Sequence, residues 1–144
     1  MKRLLEGKVA VVTGGTRGIG LGIVKRFLEE GAAVVFFGSR EETAVKAFMK
    51  LKEELPEAKV NCMWPLLTCE SEVAVALDSA VQEFGRLDIL VNNAGISQRT
   101  VLADYTEDEF DKIMDLNVKA AFMCSKVAAE IMKKIGRASC RERV

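Results

Sequence analysis

No histidine occurs in the 144 residues, and there is one tyrosine, Tyr105. Without histidine a Ser-His-Asp hydrolase has no base and is excluded. Cysteine is scarce as well: Cys62, Cys69, Cys124 and Cys140, with no Cys-x-x-Cys pair. With no histidine to join them, a zinc site or a Cys–His nucleophile is a poor reading, and reduced core or surface thiols are expected. Net charge is lacking too, Lys+Arg and Asp+Glu both being 21, so electrostatics gives no reason for a nucleic-acid or membrane partner. No apolar run is long enough to span a bilayer. The first residues, Met1-Lys2-Arg3-Leu4-Leu5-Glu6-Gly7, lack the long apolar stretch of a signal peptide, and a cytoplasmic location is the expectation. Proline is rare, 2 residues against 49% hydrophobic ones, which points to a folded domain with a real core.

What is present is organised around Thr13-Gly14-Gly15-Thr16-Arg17-Gly18-Ile19-Gly20. A β-branched run, Lys8–Val12, precedes it and reads as a buried strand. A helical pattern over Leu21–Glu30 follows, with Ile19, Ile23, Val24 and Phe27 at helical spacing. Gly14 lets the chain leave the strand in a tight turn, Gly18 removes a Cβ where backbone N–H groups would approach a pyrophosphate, and Gly20 permits close helix packing. Strand and helix patterns then alternate. Gly31 ends the first helix. Ala33–Phe37 is a second strand, and Ser39 with Glu42 has the form of a capping box for a helix stopping at Pro56. Val60, Cys62 and Trp64 alternate in a third strand. Val73, Leu77, Ala80, Val81 and Phe84 mark a helix closed by Gly85. Ile89–Val91 is a fourth strand, and Thr106 with Glu109 opens a long helix to about Lys134. This order implies an α/β, doubly wound parallel sheet.

The glycine turn with Thr13 before it resembles the cofactor turn of the short-chain dehydrogenase/reductase family. Leu90-Val91-Asn92-Asn93-Ala94-Gly95 resembles that family's Asn-Asn-Ala-Gly motif, and Asp115-Leu116-Asn117-Val118 the segment of its catalytic asparagine. All three stand in the family's order, and the resemblance spans Leu5 to about Lys134. It implies a Rossmann-like sheet of strand order 3-2-1-4, with residues 1–134 the N-terminal part of a dinucleotide-binding domain. It implies cofactor contacts at Gly14, Gly15, Thr16, Arg17, Gly18, Ile19, Gly20, Asn93, Ala94 and Gly95. At Asn117 it implies the catalytic asparagine that helps hold a water chain. By the residues alone, Asn93-Ala94-Gly95 also reads as a plain turn and Asn117 as a structural amide.

The cofactor class turns on the end of the second strand, where an NAD enzyme usually offers a carboxylate to the adenosine ribose. Here the chain reads Phe37-Gly38-Ser39-Arg40. Arg17, Ser39 and Arg40 suit a 2′-phosphate, so NADP is expected over NAD; Arg40 also reads as a solvated residue of a first helical turn. After the third strand the family usually has an Asp that contacts adenine. This chain has Leu66 there, followed by Leu67, which leaves adenine recognition weakened or carried by backbone groups. The family also needs a Ser and a Tyr-x-x-x-Lys after Asn117, where the lysine lowers the tyrosine pKa. Neither part of the tyrosine motif follows Asn117, and Tyr105 reads as a loop residue.

Ile135–Val144 matches, residue for residue, the translation of a widely used sequencing adapter, and is read as non-native. Two functions follow as expectations. One is a fragment of an oxidoreductase transferring hydride between nicotinamide and a carbonyl or alcohol, inactive as it stands. Its small-molecule substrate is a 3-oxoacyl or other ketone, since the motifs look like bacterial β-ketoacyl-acyl-carrier-protein reductases and hydroxysteroid dehydrogenases. The resemblance makes the parent a homo-oligomer, tetramer or dimer. The alternative is a non-catalytic dinucleotide-binding module.

Overall fold

The computed structural model describes residues 2–136. Of the stretch read as adapter translation, all but Ile135 and Gly136 lies outside these residues.

Four short runs of β-branched and aromatic residues form one parallel sheet. They are β1 (Val9–Thr13), β2 (Ala33–Phe37), β3 (Val60–Met63) and β4 (Ile89–Val91). The order is β3-β2-β1-β4, as the resemblance implied. The register sets Val11 opposite Val35 and Leu90, and Phe36 opposite Cys62. All five residues of β1 and of β2 are buried, the continuous apolar pattern of strands covered on both faces.

Alternation along the strands divides the core in two. Ala10, Val12, Val34 and Phe36 face α1 (Gly18–Glu29) and α2 (Glu41–Glu54), meeting Val24, Leu28, Ala47 and Leu51. Val11, Val35 and Phe37 face the other way, toward Val73, Leu77 and Ala80 of α3 (Glu70–Phe84) and Ala120, Cys124 and Ala128 of α5 (Ala120–Lys134). Burial pushes the Cys124 thiol up to about 11, as suits an inert core residue. Each parallel pair needs a right-handed crossover helix: the steps from β1 to β2 to β3 put α1 and α2 on one face, and the return past β1 to β4 puts α3 on the other, so both faces are covered.

Local chemistry fixes the ends. Ala32 N–H bonds the Phe27 carbonyl and Gly31 N–H that of Leu28, with Gly31 at φ +93. These are the two bonds of a Schellman motif, and they turn the chain from α1 into β2. At the same end of the sheet, Asp88 takes two hydrogen bonds of 2.7 Å from Arg86 and one of 2.9 Å from Val9 N–H. This ties the entry of β1 to the entry of β4.

Three expectations need correction. Ser39 does not cap α2: the helix starts one residue later, with Arg40 at the N-cap and no side-chain cap bond. Trp64 lies beyond β3 and is 42% exposed. The long final helix is not regular: α4 (Glu107–Met114) runs through a π-helical turn, Asp115–Lys119, into α5. The Thr106 cap is as expected, its hydroxyl accepting Glu109 N–H at 3.1 Å. Tyr105 follows a short 3₁₀ turn, Leu102–Asp104, outside any helix. Among the described residues no helix is long and apolar enough to cross a membrane.

Candidate functional site

The carboxyl ends of all four strands open into one cleft of about 500 Å³. Its floor is the glycine turn, and the backbone there is shaped by crowding. Gly14 sits at φ +67, and a Cβ on it would lie 2.9 Å from Ala94 Cα. At Gly20 a Cβ would collide with the Gly14 carbonyl and lie 2.5 Å from Asn93 Nδ2. Gly18 contrasts with both: at φ +58, a Cβ there would meet open space. The first turn of α1 therefore rests on the β1 turn at Gly20 while Gly18 faces the opening.

That helix end is unsatisfied. Its N-cap, Arg17, makes no side-chain cap bond, and no acidic residue lies in the first turn. The leading N–H groups of a helix have no acceptors within it and carry partial positive charge. Bare N–H groups with no Cβ over them form a cradle for an anion, and a pyrophosphate fits it.

Beside the glycine turn the cleft is walled by the segment after β4. Thr13 is 2% exposed, and its hydroxyl oxygen accepts the N–H groups of Asn93 and Ala94, both at 3.0 Å. Asn93 Nδ2 donates to the Gly14 carbonyl at 3.0 Å. The β4 end is thus bolted to the glycine turn. Asn117, in the π-helical turn, holds the next residue by two bonds of 2.8 Å: Oδ1 accepts Ile96 N–H and Nδ2 donates to Ile96 O. A widened helical turn at a side chain with a specific task is common. The amide is exposed, and so are Phe110 and Met114 on its line.

Gly14, Thr16, Arg17, Gly18, Ile19, Gly20, Ser39, Leu66, Leu67, Asn93, Ala94 and Gly95 all line this cleft. Ile19, placed by its spacing on the packing face of α1, is 78% exposed. Gly15 is not in the lining. It faces β2, where a Cβ would lie 2.6 Å from Phe36 Cβ. Arg40 lies next door, in a recess of about 470 Å³ between α1 and α2 that Thr16, Arg17 and Ser39 share.

Sequence reasoning missed the rest of that recess. Lys46 and Lys50 line it from α2, and Lys25 from α1. Lys25 is paired with Glu54 at 3.0 Å. The i, i+4 spacing of Lys46 and Lys50 was the available signal. No carboxylate lines the recess, and at Gly38, in the adjoining cleft, a Cβ would crowd Thr16 Cγ2 at 2.8 Å and Ala44 Cβ at 3.1 Å. Among the described residues no group of three or more His, Cys, Asp or Glu is placed to hold a metal ion.

Known proteins share this architecture. The family model described as short chain dehydrogenase matches residues 8–140. The 3alpha-hydroxysteroid dehydrogenase of Mediterraneibacter gnavus is 52% identical over 136 residues, covering 94% of this chain and 54% of that protein. The 3-oxoacyl-(acyl-carrier-protein) reductase FabG of Chlamydia muridarum is 35% identical, over 92% of this chain and 54% of its own length. Among solved structures, a short chain dehydrogenase from Mycobacterium smegmatis superposes with a TM-score of 0.86 at 30% identity, covering 92% of this chain and 55% of that one. The chain spans about half the length of the curated relatives it matches.

Proposed function

Because the chain belongs to the short-chain dehydrogenase/reductase family, we propose that its cleft holds NADP(H) for hydride exchange with a ketone or secondary alcohol. The observation that carries this reading is the uncapped start of α1 beneath an open Gly18. When bound, the nicotinamide supplies the hydride. The residues of this chain bind and orient it. The leading N–H groups of α1 hold the pyrophosphate, with Gly14, Thr16 and Ile19 around them. Asn93, Ala94 and Gly95 lie at the β4 side, where the nicotinamide half belongs, with Leu66 and Leu67 at the adenine side.

Preference for the 2′-phosphate rests on Arg17, Ser39 and Arg40, joined by Lys46 and Lys50. Hydrogen bonds to charged groups contribute about 1.5–3 kcal/mol each, so two of them favour NADPH over NADH by well over tenfold. Asn117 acts as a positioning residue, fixing the backbone after Gly95 through Ile96.

Proton transfer at the substrate oxygen needs an acid in reach. No histidine exists in the chain, and Tyr105, the sole tyrosine, has no lysine four residues on but Glu109. The 144 residues therefore bind cofactor without turning it over. Identity of 52% to the 3alpha-hydroxysteroid dehydrogenase makes a hydroxysteroid the first substrate to test on any longer form.

Titrating the purified chain with NADPH and NADH tests the reading. Tighter NADPH binding, narrowed by Arg40→Ala and Arg17→Ala, with no ketone reduction, is the expected result. Equal affinity for the two cofactors refutes the phosphate recess, and turnover refutes the missing acid.

A further inference from the structure

The adenine side of the cleft is walled by Trp64, Pro65, Leu66 and Leu67. Apolar walls accept the faces of a nucleobase but do not read its edge. Adenine presents there an exocyclic amine, which is a donor only, so a base-selective site needs an acceptor. Leu66 supplies no side-chain acceptor, and it is 59% exposed beside the cleft.

One carboxylate lines the cleft: Glu72, in the first turn of α3. Its Oε1 accepts Leu66 N–H at 3.1 Å. That bond holds the carboxylate over the end of β3, and it uses one of the roughly four acceptor positions a carboxylate offers. Among the described residues nothing else bonds this carboxylate. From this we infer that Glu72 receives the exocyclic amine of adenine and so selects the base, from a helix rather than from the strand end. The inference rests on the dinucleotide reading of the cleft.

A plainer role for Glu72 is to tie down the segment after β3 through Leu66. Both roles predict weaker cofactor binding by Glu72→Ala, and they differ in whether the loss depends on the base. The test is calorimetric titration of the 144-residue chain with NADPH and with its hypoxanthine counterpart, in which a carbonyl replaces the amine. Wild type is expected to bind the adenine form about tenfold more tightly, and Glu72→Ala to lose that factor while hypoxanthine affinity stays within about twofold. Leu66→Asp in the Glu72→Ala background is expected to restore discrimination. Equal losses for the two cofactors, or a wild type that does not discriminate, overturn the assignment and leave the dinucleotide cleft standing. A wild type that binds neither form overturns the cleft and the assignment together.

Discussion

Two glycines in the same helix should respond to alanine with opposite signs. Gly20 and Gly22 both lie in α1, and neither has a positive φ, so backbone strain does not separate them. Space does. A Cβ at Gly20 would overlap the Gly14 carbonyl oxygen, at 2.5 Å from Asn93 Nδ2 and 2.8 Å from the Gly14 carbonyl carbon. One at Gly22 would meet nothing within 4 Å. The Gly20 neighbours are backbone and a bonded amide, so they yield only if α1 lifts away from the β1 turn. Overpacking of this kind costs about 1–3 kcal/mol. Losing the Asn93–Gly14 bond adds about 0.5–1.5 kcal/mol, against about 1 kcal/mol regained from the helix propensity of alanine. Gly20→Ala should therefore destabilise by roughly 1–3 kcal/mol, and Gly22→Ala should stabilise by roughly 0.5–1 kcal/mol. Urea denaturation followed by far-ultraviolet circular dichroism measures both. If the two variants shift the midpoint in the same direction, the close contact between α1 and the glycine turn is not what makes position 20 a glycine.

Thr13→Val keeps the shape but strips the acceptor from two backbone N–H groups; it should cost roughly 1–3 kcal/mol in chemical denaturation, while Thr13→Ser costs far less. Asp88 is part-buried, and burial alone raises its pKa; the Arg86 hydrogen bond, Val9 N–H, and the charges of Arg86 and Lys8 outweigh this and hold it below its ordinary value. A depressed carboxylate stabilises the fold above its unfolded pKa and loses that contribution as pH falls through the folded one. Unfolding free energy measured against pH should fall on the acid side in wild type and fall less in Asp88→Asn, and identical slopes would refute this. Asn117→Ala should speed hydrogen exchange at the Ile96 amide while the exchange of β1 and β2 amides is unchanged; unaltered exchange at Ile96 would show that the two 2.8 Å bonds are not what orders it.

The strands and the glycine turn were legible because they depend on local pattern, while the strand order came from the family resemblance. Five consecutive apolar residues in β2, four of them β-branched or aromatic and followed by Gly38, read as a strand covered on both faces, and Gly18 and Gly20 lie where the chain must pass from strand to helix. The features that were not legible are set by contacts between distant segments. Gly15 looks like its neighbours in the sequence, yet Phe36 across the sheet excludes it from the cleft. Ser39 has the spacing of a cap, but a helix boundary one residue later is equally consistent with periodicity, and the recess side claims Ser39 instead. The π-helical turn around Asn117 leaves no trace in a pattern of period 3.6, because one widened turn shifts the apolar positions by less than the stripe's own width. Glu72 is one of two acidic residues in the first turn of α3, and only its bond to Leu66 marks it.

The pairing of β1 with β4 also dictates an order of events at the ribosome. β1 gains β2 soon after it is made, but its second neighbour arrives with residues 89–91, and Thr13 meets Asn93 and Ala94 across 80 and 81 positions of chain. At ordinary synthesis rates of roughly 5–20 residues per second, that interval lasts on the order of 4–16 s. Throughout it, Val9–Val12 presents an open, wholly apolar edge, the kind of strand that recruits foreign strands. A nascent chain stalled between residues 40 and 88 is therefore the aggregation-prone species. Cofactor cannot rescue it, because the wall that includes Asn93, Ala94 and Gly95 has not yet been translated. Protection in that window must come from a holdase or from speed, and slow codons between β2 and β4 should lower the soluble yield of a chain whose finished fold is unchanged.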